Sequence, residues 1–122
     1  MSIRSEIAEE LTGALPATFK VMPYVKQLDN TDRPVVMLHR SKVARNPESS
    51  RYLDHSVTAH VLVAETLGEA AEDAADAALE AVLDALEGMG WLDWTEAERT
   101  PYANFTGYQI TLTASKPHTL GE

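Results

Sequence analysis

The sequence predicts an α+β domain, with a mostly antiparallel sheet of about five strands and two helices packed on one face. Three patterns carry that expectation. Residues 66–88 form a long amphipathic run of helical period, several shorter runs alternate apolar with polar residues as half-buried strands do, and the last two runs are joined by a turn-rich link. At 122 residues with 44% hydrophobic content, the chain fits a single globular domain spanning 1–122.

The expected element order is helix-strand-strand-strand-helix-strand-strand. Ile3, Ile7, Leu11 and Leu15 recur at steps of four, which predicts a first helix over Ser2–Ala14 closed by Gly13 and Pro16. Thr18–Val25 carries Phe19, Val21, Tyr24 and Val25 and reads as a strand that Pro23 confines to an edge or bends. Gln27–Arg33, with Asp29-Asn30-Thr31-Asp32, is a polar loop. The second strand begins at Pro34 and runs to Val43. Strict alternation would put Arg40 and Lys42 on one of its faces and His39 on the other, among apolar neighbours. Arg45–Asp54 reads as a loop. In the third strand Val57, Ala59, Val61 and Val63 should face the helices, while Ser56, Thr58, His60 and Leu62 should face away.

Thr66 and Glu69 have capping-box spacing at the start of the long helix, and Gly88 and Gly90 should end it in the left-handed conformation that glycine tolerates. Leu67, Ala71, Ala75, Ala78, Val82 and Leu86 lie on its apolar side. Trp91–Arg99 and Phe105–Lys116 then form a hairpin, in which Tyr108, Ile110, Leu112 and Ala114 share a face. Residues 117–122 are expected to be a loose tail.

Charge is the most informative property. Ten basic residues oppose nineteen acidic ones, a net charge of −9, which argues against sequence-independent nucleic-acid binding through phosphates. Glu69, Asp73, Asp76, Glu80, Asp84 and Glu87 fall in one stripe along the long helix, with Glu72 beside it and no basic residue interrupting. Like-charge neighbours at that spacing cost a few tenths of a kcal/mol each, so together they oppose the helix by roughly 1–3 kcal/mol. The stripe is either a solvated face or a surface aimed at a basic partner. Arg33, Arg40, Lys42, Arg45 and Arg51 are half of all the basic residues and cluster in the span 33–51, against Glu48 alone among the acids. Opposite charges on separate patches fit a head-to-tail ring or filament. Pairing within one chain, or solubility alone, is the alternative.

Chemistry is sparse. With no cysteine, disulfides, thiolate metal sites and cysteine nucleophiles are excluded. His55 and His60 are five apart and point to opposite strand faces, which disfavours a metal site built on that pair. Asp93, Glu96 and Glu98 near Trp91 and Trp94 offer carboxylates in aromatic company, more in keeping with solvated strand residues than with a glycosidase pair. No nucleophile has a base beside it. The expectation is a non-enzymatic protein with no cofactor or metal. Residues 1–6 lack the apolar core of a secretion signal and no run is long enough to cross a bilayer, so cytoplasmic synthesis without membrane association is expected.

The element order, the acid- and alanine-rich helix ending in Gly88-Met89-Gly90-Trp91 and the closing strand Tyr108-Gln109-Ile110-Thr111-Leu112-Thr113 resemble the tail terminator proteins of long-tailed bacteriophages, the minor tail protein U type. The resemblance implies a non-enzymatic virion protein that forms a ring, typically a hexamer, on the head-proximal end of the tail tube. Its partners would be further copies of itself, the tail tube protein and a head-completion or neck protein, and DNA would pass through without specific binding. On this reading the basic residues Arg40, Lys42, Arg45 and Arg51 form an interface, and the acidic stripe lines either the lumen or an interface. Two alternatives stand beside it: another neck or head–tail connector protein, and a small-molecule-binding α+β regulatory domain.

Overall fold

The computed structural model describes residues 3–25, 33–48, 51–63, 69–100 and 106–117. Its elements are α1 (Ile3–Ala14), β1 (Lys20–Met22), β2 (Val35–Arg45), β3 (Tyr52–Val63), α2 (Glu69–Glu87), β4 (Leu92–Arg99) and β5 (Thr106–Pro117). Thr66 of the expected capping box, most of the expected 27–33 loop, Pro101–Phe105 and residues 118–122 of the expected tail lie outside the described residues.

The fold is α+β, with five strands in one sheet in the order β1-β2-β3-β5-β4. One expectation is corrected: the sheet is mixed rather than mostly antiparallel. β1 runs parallel to β2, placing Lys20, Val21 and Met22 opposite Val35, Val36 and Met37. Positions 23–34 are a dozen residues, enough to return the chain to the starting end of β1 as parallel pairing demands. β1 itself stops at Met22, before Pro23, and leaves Tyr24 and Val25 exposed.

The centre of the sheet is the pairing of β3 with β5, which runs without a register shift from Tyr52–Pro117 to Val63–Thr106. Val57, Ala59, Val61 and Val63 face the helices as their alternation predicts, together with Val36 and Leu38 of β2 and Ile110, Leu112 and Ala114 of β5. Against them pack Ile3, Ile7 and Leu11 of α1 and Ala75, Ala78, Val82 and Leu86 of α2, so both helices share one core. Each fully buried Leu, Ile or Val contributes roughly 1.5–3 kcal/mol. A smaller cluster on the opposite face joins Met22, Val35, Met37 and Leu62.

The β2–β3 connection is tighter than the 45–54 loop read from sequence, because pairing continues through Ala44–Asp54 and Arg45–Leu53. Local side-chain bonds explain this. The Asn46 amide N–H donates to the Tyr52 carbonyl (3.1 Å), its Oδ1 accepts from the Glu48 N–H (2.8 Å) and its Nδ2 donates to Asp54 Oδ1 (3.0 Å). Ser115 Oγ donates to the same Asp54 oxygen at 2.6 Å, tying the hairpin to β5.

α2 ends at Glu87 without the expected left-handed glycine, since neither Gly88 nor Gly90 has a positive φ. Its last turn tightens instead, with the Gly88 N–H bonded to the Ala85 carbonyl (3.3 Å) and the Met89 N–H to that of Leu86 (3.0 Å). Two flanking strands carry register shifts, between Arg40 and Lys42 in β2 and between Trp94 and Glu96 in β4.

Gly107 of β5 sits tight against β3, and a Cβ there would lie 2.2 Å from the Val61 carbonyl oxygen and 2.7 Å from Leu62 Cδ2. Gly107→Ala is therefore expected to cost about 2–3 kcal/mol in urea unfolding, since the central pairing must shift to admit it. Gly13→Ala, in helix α1 with nothing within 4 Å of the new methyl group, should instead be neutral or stabilising by about 0.5 kcal/mol.

Candidate functional site

β2 is buried from Val35 to Leu38 and mostly exposed from His39 outward. That outer half, with its partners in β3 and β5, forms a tongue whose β2 edge is exposed while Ala114 of β5 stays in the core. Arg40, Lys42, Arg45 and Arg51 are all exposed on it. The sequence reading put Arg40 and Lys42 on one face, and the register corrects this. Arg40 lies opposite Val57, which faces the helices, whereas Lys42 lies opposite Ser56, which faces away. A β-bulge takes Ser41 out of the pairing and reverses the alternation beyond it, so Arg45, opposite Leu53, returns to the side of Arg40. Ser41 Oγ donates to the Ser56 carbonyl at 3.2 Å across the bulge. No ion pair involves Arg40, Lys42 or Arg45 among the described residues, where Arg99–Glu72 is the pair formed.

The acidic stripe on α2 divides in two. Glu72 and Asp76 lie on the edge of the stripe that leans toward β4 and β5. Arg99 donates to Glu72, and Tyr108 Oη donates to Asp76 Oδ1 at 2.7 Å. Glu87 accepts from Trp94 Nε1 at 2.9 Å. Trp91 Nε1 makes the matching bond to Glu10 of α1, also 2.9 Å, which fastens the two helices to the start of β4. The salt bridge raises the Arg99 guanidinium's pKa through its bond to Glu72, and the bond to Asp76 raises that of the Tyr108 phenol. Glu69, Asp73, Glu80 and Asp84 are exposed, and none of them makes a side-chain hydrogen bond or ion pair among the described residues. Asp76 and Glu87 thus help fix the fold, and the free part of the stripe is Glu69, Asp73, Glu80 and Asp84.

The face of the sheet away from the helices holds a surface that sequence reasoning missed. Following the register across it, His39, Thr58, Thr111 and Glu96 form one row, and Lys42, Ser56, Thr113 and Asp93 the next. His60, Gln109 and Glu98 continue it on the other side. Imidazole and ammonium groups therefore stand at the β2 side and three carboxylates at the β4 side, with hydroxyls between. Alternation could have found the Thr and Ser rows, but the two bulges that align the charged residues leave no mark in the sequence. Trp94 lies opposite Leu112 on the helix side, so Asp93, Glu96 and Glu98 have no aromatic cleft around them.

His55 and His60 do face opposite sides of β3, opposite Ala114 and Gln109. Burial and then the neighbouring Arg40 lower the pKa of His55, whose Nδ1 is buried without a hydrogen-bond partner. Burial and then His39 lower that of His60. His39 is exposed, not half-buried as its apolar neighbours implied, because it stands opposite Thr58 on the face of the sheet that the helices do not cover. Among the described residues no group of three or more His, Asp or Glu side chains is placed to hold a metal ion, and no helix is long and apolar enough to cross a membrane. Comparison with models of known families and with curated proteins gives no match to the chain.

Hydrogen bonds from Ser115 and then Asn46 hold the Asp54 carboxyl below its ordinary 3.8. A depressed carboxylate pKa stabilises the fold fully above the unfolded value and loses that contribution as pH falls through the folded one. The difference in thermal midpoint between the parent and Asp54→Ala should accordingly be widest near neutral pH and close in acid below 3.8. A gap that stayed constant down to that range would show that the carboxylate's charge does not fasten the tongue.

Proposed function

We propose that this chain is a structural virion protein, a tail terminator of a long-tailed bacteriophage. Copies of it close into a ring, typically a hexamer, on the head-proximal end of the tail tube. One observation carries the reading beyond the resemblance in sequence pattern. Arg40, Lys42 and Arg45 on the tongue and Glu69, Asp73, Glu80 and Asp84 on α2 form no ion pair among the described residues. Different, complementary patches on one molecule make a heterologous contact, which propagates from copy to copy and closes when the rotation between copies divides a full turn.

Capping is then a matter of shape. A closed ring covers the edge of the last tube layer and removes the surface on which another tube subunit would add. Its other side is presented to a head-completion or neck protein, and DNA threads the hole without specific binding. The function asks for rigid self-complementary surfaces and no catalytic group. In such a virion the protein sits at the head-proximal end of the tail, having been assembled in the host cytoplasm.

Electron microscopy of the purified protein mixed with isolated tail tubes tests this directly. Rings with a central hole should be seen at one tube end. Phage lacking the chain should make overlong tails that fail to join heads. Tails of normal length that join heads efficiently without it would overturn the proposal, as would a protein that binds the portal side of heads and leaves tube ends bare.

A further inference from the structure

We infer that the joint between neighbouring copies is made by the tongue of one copy seated on the outer acidic face of α2 of the next. This rests on the self-association proposed above and assigns its surfaces. Four features of the tongue point to a protein occupant. Its β2 edge is exposed from His39 to Val43 and again at Arg45. On the face of Arg40 and Arg45 it exposes a large apolar side chain, Val43, at 42%. Its own carboxylate Asp54 is consumed by Asn46 and Ser115 and so does not neutralise the arginines. Those same bonds hold the tongue in shape before it binds, which lowers the ordering cost of association.

Geometry and charge then select a second copy as the occupant. Arg40 and Arg45 share the helix-side face, and their partners Val57 and Leu53 are four residues apart, a separation of about 13 Å along a strand. On α2 the unpaired acids Asp73 and Glu80 are seven residues apart and Asp73 and Asp84 eleven, roughly 10 and 16 Å along a helix. Two arginines on flexible stems therefore span the same two to three helical turns as the carboxylates. Ala70 and Ala77 are exposed on that side of α2, where small side chains admit the close approach of Val43. Within one chain the patches do not meet, so each is left for a neighbour. In this joint α2 is covered by the next subunit and does not line the channel. Lys42, turned to the other face by the bulge, takes no part.

Charge exchange tests the joint. The proteins are the parent, a tongue variant carrying Arg40→Glu and Arg45→Glu, a helix variant carrying Asp73→Lys and Glu80→Lys, and an equal mixture of the two variants. Folding is verified by circular dichroism, and assembly is read by mass photometry at low salt or, where the parent closes only on tubes, as occupancy of tube ends. The parent should assemble. Each variant alone should assemble about tenfold or more weakly, because its tongue and helix then carry like charge. The mixture should recover assembly, because each reversed tongue meets a reversed helix. A folded tongue variant that assembles or caps like the parent overturns the joint and leaves the terminator reading standing, as does a mixture that stays dissociated. A parent that neither self-associates nor caps tubes overturns both. Retarded migration of duplex DNA by the parent, lost in a tongue variant that still assembles normally, would identify the tongue as a phosphate-binding surface and overturn the joint.

Discussion

The pairing of β3 with β5 is the constraint on which the rest of this molecule depends. Both are twelve-residue strands, and they stay in register over their whole length. A side chain's face on a strand is fixed by its register with the neighbour, so this one pairing decides which residues enter the core. It places Val57 beside Leu112 and Ala59 beside Ile110 under the helices, and Thr58 beside Thr111 on the open side. β2 and β4 take their positions from it, and the helices cover the face it makes apolar. At Gly107 it leaves no room for a side-chain carbon.

The acidic helix has a different logic. A run of carboxylates without a compensating base weakens an isolated helix, and its C-terminal end has no cation in the last turn. The sheet supplies part of what the helix lacks, mostly through neutral donors. The indole N–H of Trp94 and the phenol of Tyr108 each satisfy a carboxylate while leaving its charge in place, and among the described residues Arg99 supplies the cation. The interaction thus orients α2 on the sheet and preserves the negative field on its outer side. Hydrogen bonds of this exposed kind stabilise modestly, so their value lies chiefly in fixing the helix's rotation about its axis.

Much of the fold was legible because alternation and helical period report directly on burial. The inward set of β3, the shared face of Tyr108, Ile110, Leu112 and Ala114, and the apolar side of α2 all followed from spacing alone. What the sequence hid depends on partners distant along the chain. The direction of β1 is set by where the 23–34 link returns, the bulge at Ser41 by the register of β2 against β3, and the extent of the β2–β3 hairpin by side-chain bonds from Asn46 and Ser115. Composition revealed that basic and acidic residues are segregated. It could not tell Asp76 and Glu87, which serve the fold, from Asp73, Glu80 and Asp84, because that division depends on how α2 is rolled against β4 and β5.

The two bulges stand at the same level of the sheet. The one in β2 falls beside Val57 and Ser56, the one in β4 beside Leu112 and Thr111, and Val57 is itself the partner of Leu112. Because a bulge bends and further twists its strand, this row is a crease across the sheet at the base of the tongue. The crease also acts as a parity switch. Closing the bulge with Ser41 retained, so that Ser41 rather than Lys42 pairs with Ser56, would leave composition and net charge unaltered, yet hand every side chain from Lys42 to Arg45 to the opposite face. A lineage could in this way exchange the surface it shows a neighbour through a slip of register alone, with no charged residue substituted.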